Sequence, residues 1–317
     1  YPKVAPYGRN IIPFMSLRHM CCLLAAELII SSDSKYHAYA TQCRHSIFNR
    51  YIKKKKSVFL QHGVTALKRV DAFYGKGMRS GCDLFIVTNT MEEKIILDNF
   101  GYEPAEVANT GFARWDVLKD RSDLSHPSIL VMPTWRSWLE DQSDETFRQS
   151  SYYREYAALL NDPKLREFLH QTHTELIFYI HPKLREYISA FHADDPLIRL
   201  IPFGSVPLNQ LIMKCSMLIT DYSSVSWDVY YLGKPILFYQ FDLKQYNETN
   251  GSYVNMEKDL FGDRCTKQNE LVRLIREYAE NGFREKETYT AMRENLFVAR
   301  DHDNCKRTYE YIKSQGY

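Results

Sequence analysis

Five side chains that can bind phosphate or transfer a proton each stand directly after a short apolar run. They are His62, Arg136, His181, Ser223 and Ser224. A guanidinium and a hydroxyl donate hydrogen bonds to phosphate oxygens, and an imidazole accepts a proton near cellular pH because its ordinary pKa is about 6.5. These residue types together suit a diphosphate ligand and a reaction that removes a proton beside it.

The two serines belong to the stretch that organises the second half of the chain. Met217–Ile219 has the apolar, β-branched character of a buried parallel strand, and a predicted helix then runs from Ser223 to near Gly233. Unpaired N–H groups at the start of a helix favour a phosphate. An ordinary serine N-cap without a ligand is the alternative, and the pattern alone leaves it open.

Alternating apolar runs and helical patterns predict the elements that would position these side chains. Strands are predicted at 28–30, 57–61, 84–88, 129–132, 176–180, 197–201, 217–219 and 235–239. The alternation predicts an α/β protein with two Rossmann-like, doubly wound parallel sheets facing a cleft. The polar segment 121–127 indicates a boundary between a first domain over residues 1–123 and a second over 124–317.

Such sheets bind ligands at the carboxyl ends of their strands, which is where the five side chains stand. Each also has a structural interpretation. A histidine after a strand can be a hydrogen-bonded structural residue, and Arg136 can belong to a surface ion pair. Their shared topological position favours the ligand-binding interpretation.

Length and composition narrow the class of protein. The 317 residues are 44% hydrophobic and 25% charged, and a net charge of +2 is too small to indicate nucleic-acid binding. No apolar run reaches the roughly 18 residues of a membrane span. Seven cysteines without a CxxC pair indicate reduced thiols in the cytoplasm. Because the sequence starts at Tyr1 without Met, we expect further chain before it.

Two further patterns concern ions and lipids. The run Lys53–Lys56 can face anionic lipid or form a solvated turn before a strand. No residues have metal-ligand spacing. We therefore expect no cofactor and no tightly held metal, and a weak dependence on Mg²⁺ is left open.

Longer motifs resemble those of the CDP-glycerol glycerophosphotransferases, the family of teichoic acid and capsule polymerases. The matching segments are Gln61–Lys68, Pro133–Arg136, His181-Pro182, Ile219–Ser224 with Asp228, and Pro235–Tyr239. One departure is Gln61, which stands where members often have tryptophan. The resemblance implies the GT-B fold, with an acceptor-side first domain and a second domain that binds a CDP-linked donor.

The resemblance also implies the reaction. A polyol phosphate, from glycerol or ribitol, would pass from a CDP-polyol to a hydroxyl of a lipid-linked or growing polymer, with release of CMP. His62 falls at the family's candidate general base. The donor-binding positions fall on Arg136, His181, Ser223, Ser224 and Asp228.

We expect Arg136, His181 and the serines to neutralise charge on the transferred phosphoryl group, which makes His181 a catalytic residue alongside His62. Asp228 is expected to orient a hydroxyl or a donor-contacting side chain.

The resemblance implies a peripheral location, on the membrane surface at the inner face of a bacterial cell membrane. Two alternatives are a GT-B glycosyltransferase that uses a nucleotide sugar and a catalytically silent domain that binds polymer. Thr220–Ser224 favour the phosphotransferase over the first, and both histidines argue against the second.

Overall fold

The computed structural model describes residues 8, 10–38 and 47–316, which form two compact units. The first unit comprises the described residues up to Val64, then Val70–Asp116 and the segment from Asp301 onward. The second comprises Thr65–Arg69 and Val117–Arg300. The chain therefore passes between the units more than once.

Ten strands and thirteen α-helices are defined within the described residues. The strands are β1 (Leu28–Ser31), β2 (Lys56–Phe59), β3 (Leu84–Val87), β4 (Val107–Asn109), β5 (Ser128–Val131), β6 (Glu175–Tyr179), β7 (Ile198–Ile201), β8 (Met217–Thr220), β9 (Ile236–Tyr239) and β10 (Asp263–Cys265). The helices are α1 (Leu17–Ala25), α2 (Ile47–Lys53), α3 (Asp71–Tyr74), α4 (Thr90–Asn99), α5 (Asp144–Gln149), α6 (Ser151–Leu160), α7 (Pro163–Thr172), α8 (Leu208–Lys214), α9 (Val225–Tyr231), α10 (Leu243–Thr249), α11 (Gln268–Glu280), α12 (Glu287–Leu296) and α13 (Asn304–Ser314). Short 3₁₀ helices cover Lys35–Ala38, Pro104–Glu106, Ala113–Val117, Ser137–Leu139 and Pro182–Ala190.

The first unit is built on a four-stranded parallel sheet in the order β1-β2-β3-β4. All four residues of β3 are buried, as its uninterrupted apolar sequence requires of a central parallel strand. Ile312 of α13 packs into the cluster formed by Val58, Leu84 and Ile86. The last helix of the chain therefore completes the core of the first sheet.

The second unit is built on a six-stranded parallel sheet in the order β10-β9-β8-β5-β6-β7. The order reverses between β5 and β8, because β6 and β7 continue on one side of β5 and β8, β9 and β10 on the other. Such a reversal is the switch point at which open α/β sheets place their ligands. The second unit is thus doubly wound, and its switch point lies between the Pro133–Arg136 loop and the Tyr222–Ser224 loop.

The structure differs from the sequence-based prediction in two respects. The C-terminal helix belongs to the first unit, whereas residues 124–317 were assigned together to the second domain; the division between units instead falls at Asp116/Val117 and Arg300/Asp301. Strands β4 and β10 were not predicted, because Val107–Asn109 is only three residues long and Asp263-Arg264-Cys265 has neither an apolar run nor an apolar alternation. No helix among the described residues is long and apolar enough to cross a membrane.

Candidate active site

Three neighbouring strands of the second sheet end in the loops that carry most of the predicted site residues. Strand β5 pairs with both β6 and β8. Arg136 follows β5, His181 follows β6, and Ser223 and Ser224 follow β8. Since parallel strands end at one edge of a sheet, the structure brings these four residues to the switch point of the second unit.

Arg136 was predicted to bind donor phosphate, but its side chain is completely buried and paired with protein carboxylates. Its Nε donates to Asp242 (2.7 Å) and its Nη2 to Asp221 (2.8 Å), while Nη1 donates to the carbonyl of Thr134 (2.7 Å). Burial alone would lower the pKa of Arg136, but Asp221 and Asp242 raise it well above its ordinary value. Direct phosphate contact is therefore replaced by a positioning role, in which the permanently charged guanidinium ties together the loops after β5, β8 and β9.

Ser223 and Ser224 are both partly exposed beside this buried ion pair. Ser223 Oγ accepts a hydrogen bond from the backbone N–H of Val225 (3.3 Å), and Ser224 occupies the N-cap position of α9 without a side-chain capping bond. A simple double-serine cap does not describe this arrangement. The hydroxyl of Ser224 is available for a ligand, and Ser223 can still donate its own proton while it accepts from Val225.

His181 is held as a neutral hydrogen-bond donor. Its ring stacks on Trp135 with centroids 6.1 Å apart, and its Nδ1 accepts from the backbone N–H of Lys183 (3.2 Å). Burial, followed by the charge of Lys183, lowers the pKa of His181 to about 4, against a smaller opposing effect of Asp221. With Nδ1 accepting, the proton of the neutral ring sits on Nε2, so His181 can donate one hydrogen bond to a phosphate oxygen.

Two lysines that the sequence analysis did not assign to the site lie beside His181. The Nζ atoms of Lys183 and Lys68 are 4.7 Å and 5.5 Å from the centre of the Trp135 ring. Partial burial and the nearby charge of Lys183 lower the pKa of Lys68. Glu140 forms an ion pair with Lys183. The only available signal for Lys68 was its place at the end of the Gln61–Lys68 motif, and nothing in the pattern marked Lys183.

Asp228 lies one turn into α9, and only 3% of its surface is exposed. A buried carboxylate is suited to orienting neighbouring groups rather than to contacting phosphate, because like charges repel. Its contact with the donor stays a prediction.

His62, the predicted general base, lies in the first unit after β2 and is exposed. Its Nδ1 is 3.2 Å from the carbonyl oxygen of Ser32. A carbonyl only accepts, so Nδ1 carries the proton in the neutral ring and Nε2 presents a lone pair. This is the tautomer that a general base requires, and it is the opposite of the tautomer of His181.

Gln61 sets the backbone from which His62 projects. Its φ of 60° lies in the left-handed region that non-glycine residues rarely adopt. The buried Gln61 amide donates to the carbonyl of Ile86 (2.6 Å) and to Glu92 (3.0 Å), whose other oxygen accepts from the N–H and hydroxyl of Thr88. These bonds hold the unusual conformation next to His62.

The described residues contain no group of three His, Cys, Asp or Glu side chains that could hold a metal ion. Near the switch point, Lys68, Lys183, His181 and the two serines offer cationic and neutral hydrogen-bond donors. An anionic ligand matches that set.

A family comparison identifies the group of proteins to which these features belong. Residues 2–314 match the profile of the CDP-glycerol:poly(glycerophosphate) glycerophosphotransferases. The chain belongs to this family. The match confirms the family predicted from the motifs.

Curated relatives act in teichoic acid synthesis. The minor teichoic acid biosynthesis protein GgaB of Bacillus subtilis is 28% identical over 325 residues, which cover 98% of this chain and 35% of that protein. The teichoic acid glycerol-phosphate primase of the same organism is 31% identical over 181 residues, covering 54% of this chain and 46% of the primase. The chain therefore spans between a third and a half of the length of these two relatives.

A solved structure shares the fold. The wall teichoic acid polymerase TagF superposes with a TM-score of 0.61 at 18% identity, over 86% of this chain and 71% of that one. Together with the two all-parallel sheets, this likeness confirms the predicted α/β fold of the GT-B type.

Proposed function

We propose that this glycerophosphotransferase transfers a polyol phosphate from a CDP-polyol to a hydroxyl of a growing or lipid-linked polyol-phosphate chain and releases CMP. One observation carries the proposal. At the switch point of the second unit, two lysines and a neutral histidine lie beside the Trp135 ring, and two partly exposed serines stand at the start of α9. These groups offer several hydrogen-bond donors to a diphosphate, together with the positive charge of Lys68 and that of Lys183, which is shared with Glu140.

Each donor has a distinct task in the proposed complex. Lys68 and Lys183 compensate the charge of the diphosphate, and the Nε2–H of His181 and the serine hydroxyls fix its oxygens by hydrogen bonds. A bound diphosphate would also raise the pKa of His181, because a negative charge nearby favours the imidazolium. His181 would then stabilise the charge that develops on the leaving CMP.

The proposed chemical step is a displacement at the β-phosphorus. The acceptor hydroxyl oxygen forms a bond to that phosphorus, and the bond from phosphorus to the oxygen bridging the α- and β-phosphates breaks. The electron pair of that bond leaves with CMP, and the hydroxyl proton passes to Nε2 of His62. The lone pair left on Nε2 by the Ser32 contact supports His62 in this role.

A lipid-linked acceptor would be reached at a membrane surface. The first unit has exposed groups that suit anionic lipid. Leu17 and Phe14 are 72% and 59% exposed at the start of α1. The Nζ of Lys55 donates to the carbonyl of Leu24 at the other end of α1 (2.7 Å), which places the Lys53–Lys56 run beside the helix. Exposed apolar groups next to cations suit the surface of an anionic bilayer at the inner face of the cell membrane.

The experiment that tests the function measures nucleotide release from separate donors. Purified protein is given CDP-glycerol, CDP-ribitol, UDP-glucose or UDP-N-acetylglucosamine, with a polyol-phosphate oligomer as acceptor. We expect acceptor-dependent release of CMP from one CDP-polyol. Release of UDP from a sugar donor without CMP would instead establish a glycosyltransferase.

Variants assign the two roles. His62→Ala is expected to abolish turnover while CDP-polyol affinity measured by calorimetry stays within about twofold, because a base acts mainly on the transition state. Ser223→Ala combined with Ser224→Ala is expected to weaken donor binding about tenfold. Full turnover of the His62→Ala variant would remove His62 from the mechanism, and an unchanged affinity of the double variant would remove the serines from the phosphate site.

A further inference from the structure

We propose that a cavity in the second unit, separate from the proposed donor site, binds the polyol-phosphate acceptor chain. This inference rests on the proposed function. The cavity has a volume of about 730 Å³, within the range of roughly 300–1,000 Å³ typical of small-molecule sites. It opens where β9 and β10 end, and Gln240 and Thr266, the residues that directly follow those strands, line it.

The cavity is joined to the donor loop by a buried side chain. Gln240 is 1% exposed, and its Nε2 donates to the carbonyl of Asp221 (2.9 Å), two residues before Ser223. Strands β8 and β9 are neighbours in the sheet. The cavity therefore lies at the same edge of the sheet as the proposed donor site, one strand further from the switch point.

The polar part of the lining combines two cations and the carboxylate of Glu257 with a set of amides and hydroxyls. The cations are Arg264 and Lys244, and the neutral polar groups are those of Gln240, Asn247, Ser252, Asn255 and Thr266. Arg264 is fixed by its Nε–H bond to Gln240 Oε1 (3.0 Å), and its Nη2 is 3.8 Å from the exposed carboxylate of Glu257. Lys244 is exposed on α10.

This lining fits a chain that alternates hydroxyl groups with phosphodiesters. Amides and hydroxyls donate to and accept from polyol hydroxyls, while Arg264 and Lys244 supply charge for a phosphodiester. A nucleoside would require a ring for stacking. Of the described residues, Phe241 is the only aromatic one that lines the cavity, and its ring packs against Tyr239 and Tyr156 at 5.0 Å and 5.6 Å.

The cavity wall also holds the segment that carries Lys68. The carbonyl of Gly251 accepts from the N–H of Arg69 (3.3 Å), and the N–H of Tyr253 donates to the carbonyl of Ala66 (3.1 Å). Gly251 and its neighbour Ser252 line the cavity. One hydrogen-bonded assembly thus connects the proposed acceptor cavity with a lysine of the proposed donor site.

Direct binding tests the cavity independently of turnover. Protein labelled with ¹³C at its methionine methyl groups is titrated with a short glycerol-phosphate oligomer or a ribitol-phosphate oligomer. Met256, which lines the cavity and is 3% exposed, is expected to shift, whereas Met78 of the first unit serves as the internal control. The Met256 signal is assigned with a Met256→Leu variant.

Kinetics test the two cations. Lys244→Met and Arg264→Met are each expected to raise the KM for the oligomer about tenfold, since each removes a charge-assisted contact, while the Kd for the CDP-polyol stays unchanged. Lys258→Met, which removes an exposed positive charge outside the cavity lining, is the matched control and should leave both constants unchanged.

The outcomes separate this inference from the proposed function. A shift of Met256 together with a raised KM in the Lys244 and Arg264 variants supports the acceptor cavity. An unmoved Met256 and an unchanged KM in an enzyme that transfers normally would overturn the cavity alone. Weakened CDP-polyol binding in both variants would also overturn it, because the cavity would then belong to the donor. Oligomer binding without CMP release by the wild-type enzyme would overturn the proposed function instead.

Discussion

At the scale of single residues, the two histidines of the proposed mechanism are held in opposite tautomers by backbone groups. The carbonyl of Ser32 fixes the proton of His62 on Nδ1, and the N–H of Lys183 fixes the proton of His181 on Nε2. One ring is therefore set to accept a proton and the other to donate a hydrogen bond. The sequence identified both histidines but could not distinguish these states, because each depends on one backbone partner.

The lowered pKa of His181 predicts how stability depends on pH. In the unfolded chain this histidine binds a proton below about pH 6.5, whereas in the folded protein its pKa of about 4 keeps it neutral. The unfolded state thus binds more protons between pH 4 and 6.5, so the free energy of unfolding falls as pH decreases through this window. We expect this contribution to be on the order of 1 kcal/mol after allowance for partial exposure.

Urea unfolding of the wild type and of His181→Gln, measured at several pH values, checks this expectation. Glutamine keeps an N–H donor but does not titrate, so the difference between the two proteins should change between pH 4 and 6.5 and be constant above pH 7. A difference that is the same at every pH would contradict the lowered pKa. CDP-polyol affinity of the variant should fall by less than about threefold, because a neutral donor remains.

A second prediction concerns the buried side-chain amide of Gln61. Gln61→Leu removes the buried amide that donates to Oε1 of Glu92 and to the carbonyl of Ile86, and it releases the backbone conformation beside His62. We expect a loss of about 1–3 kcal/mol in the free energy of unfolding and a lower kcat with unchanged donor Kd. Gln171→Leu is the matched control, because Gln171 pairs with Glu167 on an exposed helix face. Normal kcat in the Gln61 variant would show that this network does not position His62.

At the scale of elements, the buried cluster around Arg136 connects the loops of the proposed donor site. Tyr222 donates to Asp242, and Thr134 donates its backbone N–H to Asp221, so both carboxylates serve the guanidinium and a neighbouring loop together. The motifs placed Arg136 at the right strand end. They could not reveal its burial, because Asp221 and Asp242 stand 85 and 106 residues further along the chain.

Removing the cation tests the positioning role. Arg136→Met leaves two carboxylates buried without their partner, and such a loss typically costs about 3–5 kcal/mol. We expect a corresponding decrease in the free energy of unfolding by urea. The control is Arg273→Met, which removes an exposed ion pair with Glu277 on α11 and should cost less than about 0.5 kcal/mol. If Arg136→Met keeps full stability and loses only donor affinity, Arg136 is a phosphate ligand after all.

The strands show which elements a sequence can reveal. Apolar runs predicted β1, β2, β3, β5, β6, β7, β8 and β9 to within two residues at either end, because buried parallel strands must be apolar on both faces. Edge strand β10 carries Asp263 and Arg264 and has no such pattern. Lys183 was not predicted either, because no sequence pattern marks it. Its proposed role follows from its position beside Trp135 in the folded protein.

At the scale of the whole molecule, the chain returns to its first unit at the end. Asp116 accepts from the backbone N–H of Asn304 (2.8 Å) and of Cys305 (2.8 Å), and Thr110 and Thr308 share a hydrogen bond of 2.7 Å. These contacts cap and dock α13 on the first sheet. The local sequence of the helix does not indicate where it docks, because its docking residues are matched with partners almost 200 residues earlier in the chain.

Because α13 docks on the first sheet, we expect this helix to stabilise the first unit against unfolding and not the second. Gly111 has a φ of 81°, and a Cβ at this position would overlap the side chain of Asn304. Gly111→Ala should therefore strain the backbone and displace the start of α13, and Ile312→Ala should remove about 2 kcal/mol of packing from the first core.

Trp115 reports on the first unit, whereas Trp135, Trp138 and Trp227 lie in the second. In a protein that keeps Trp115 as its single tryptophan, the Gly111→Ala and Ile312→Ala variants should both unfold at a lower urea concentration. In a protein that keeps only Trp227, neither variant should change the midpoint of urea unfolding. Equal shifts at both reporters would mean that the two units unfold as one cooperative body, and a shift at Trp227 alone would place α13 with the second unit.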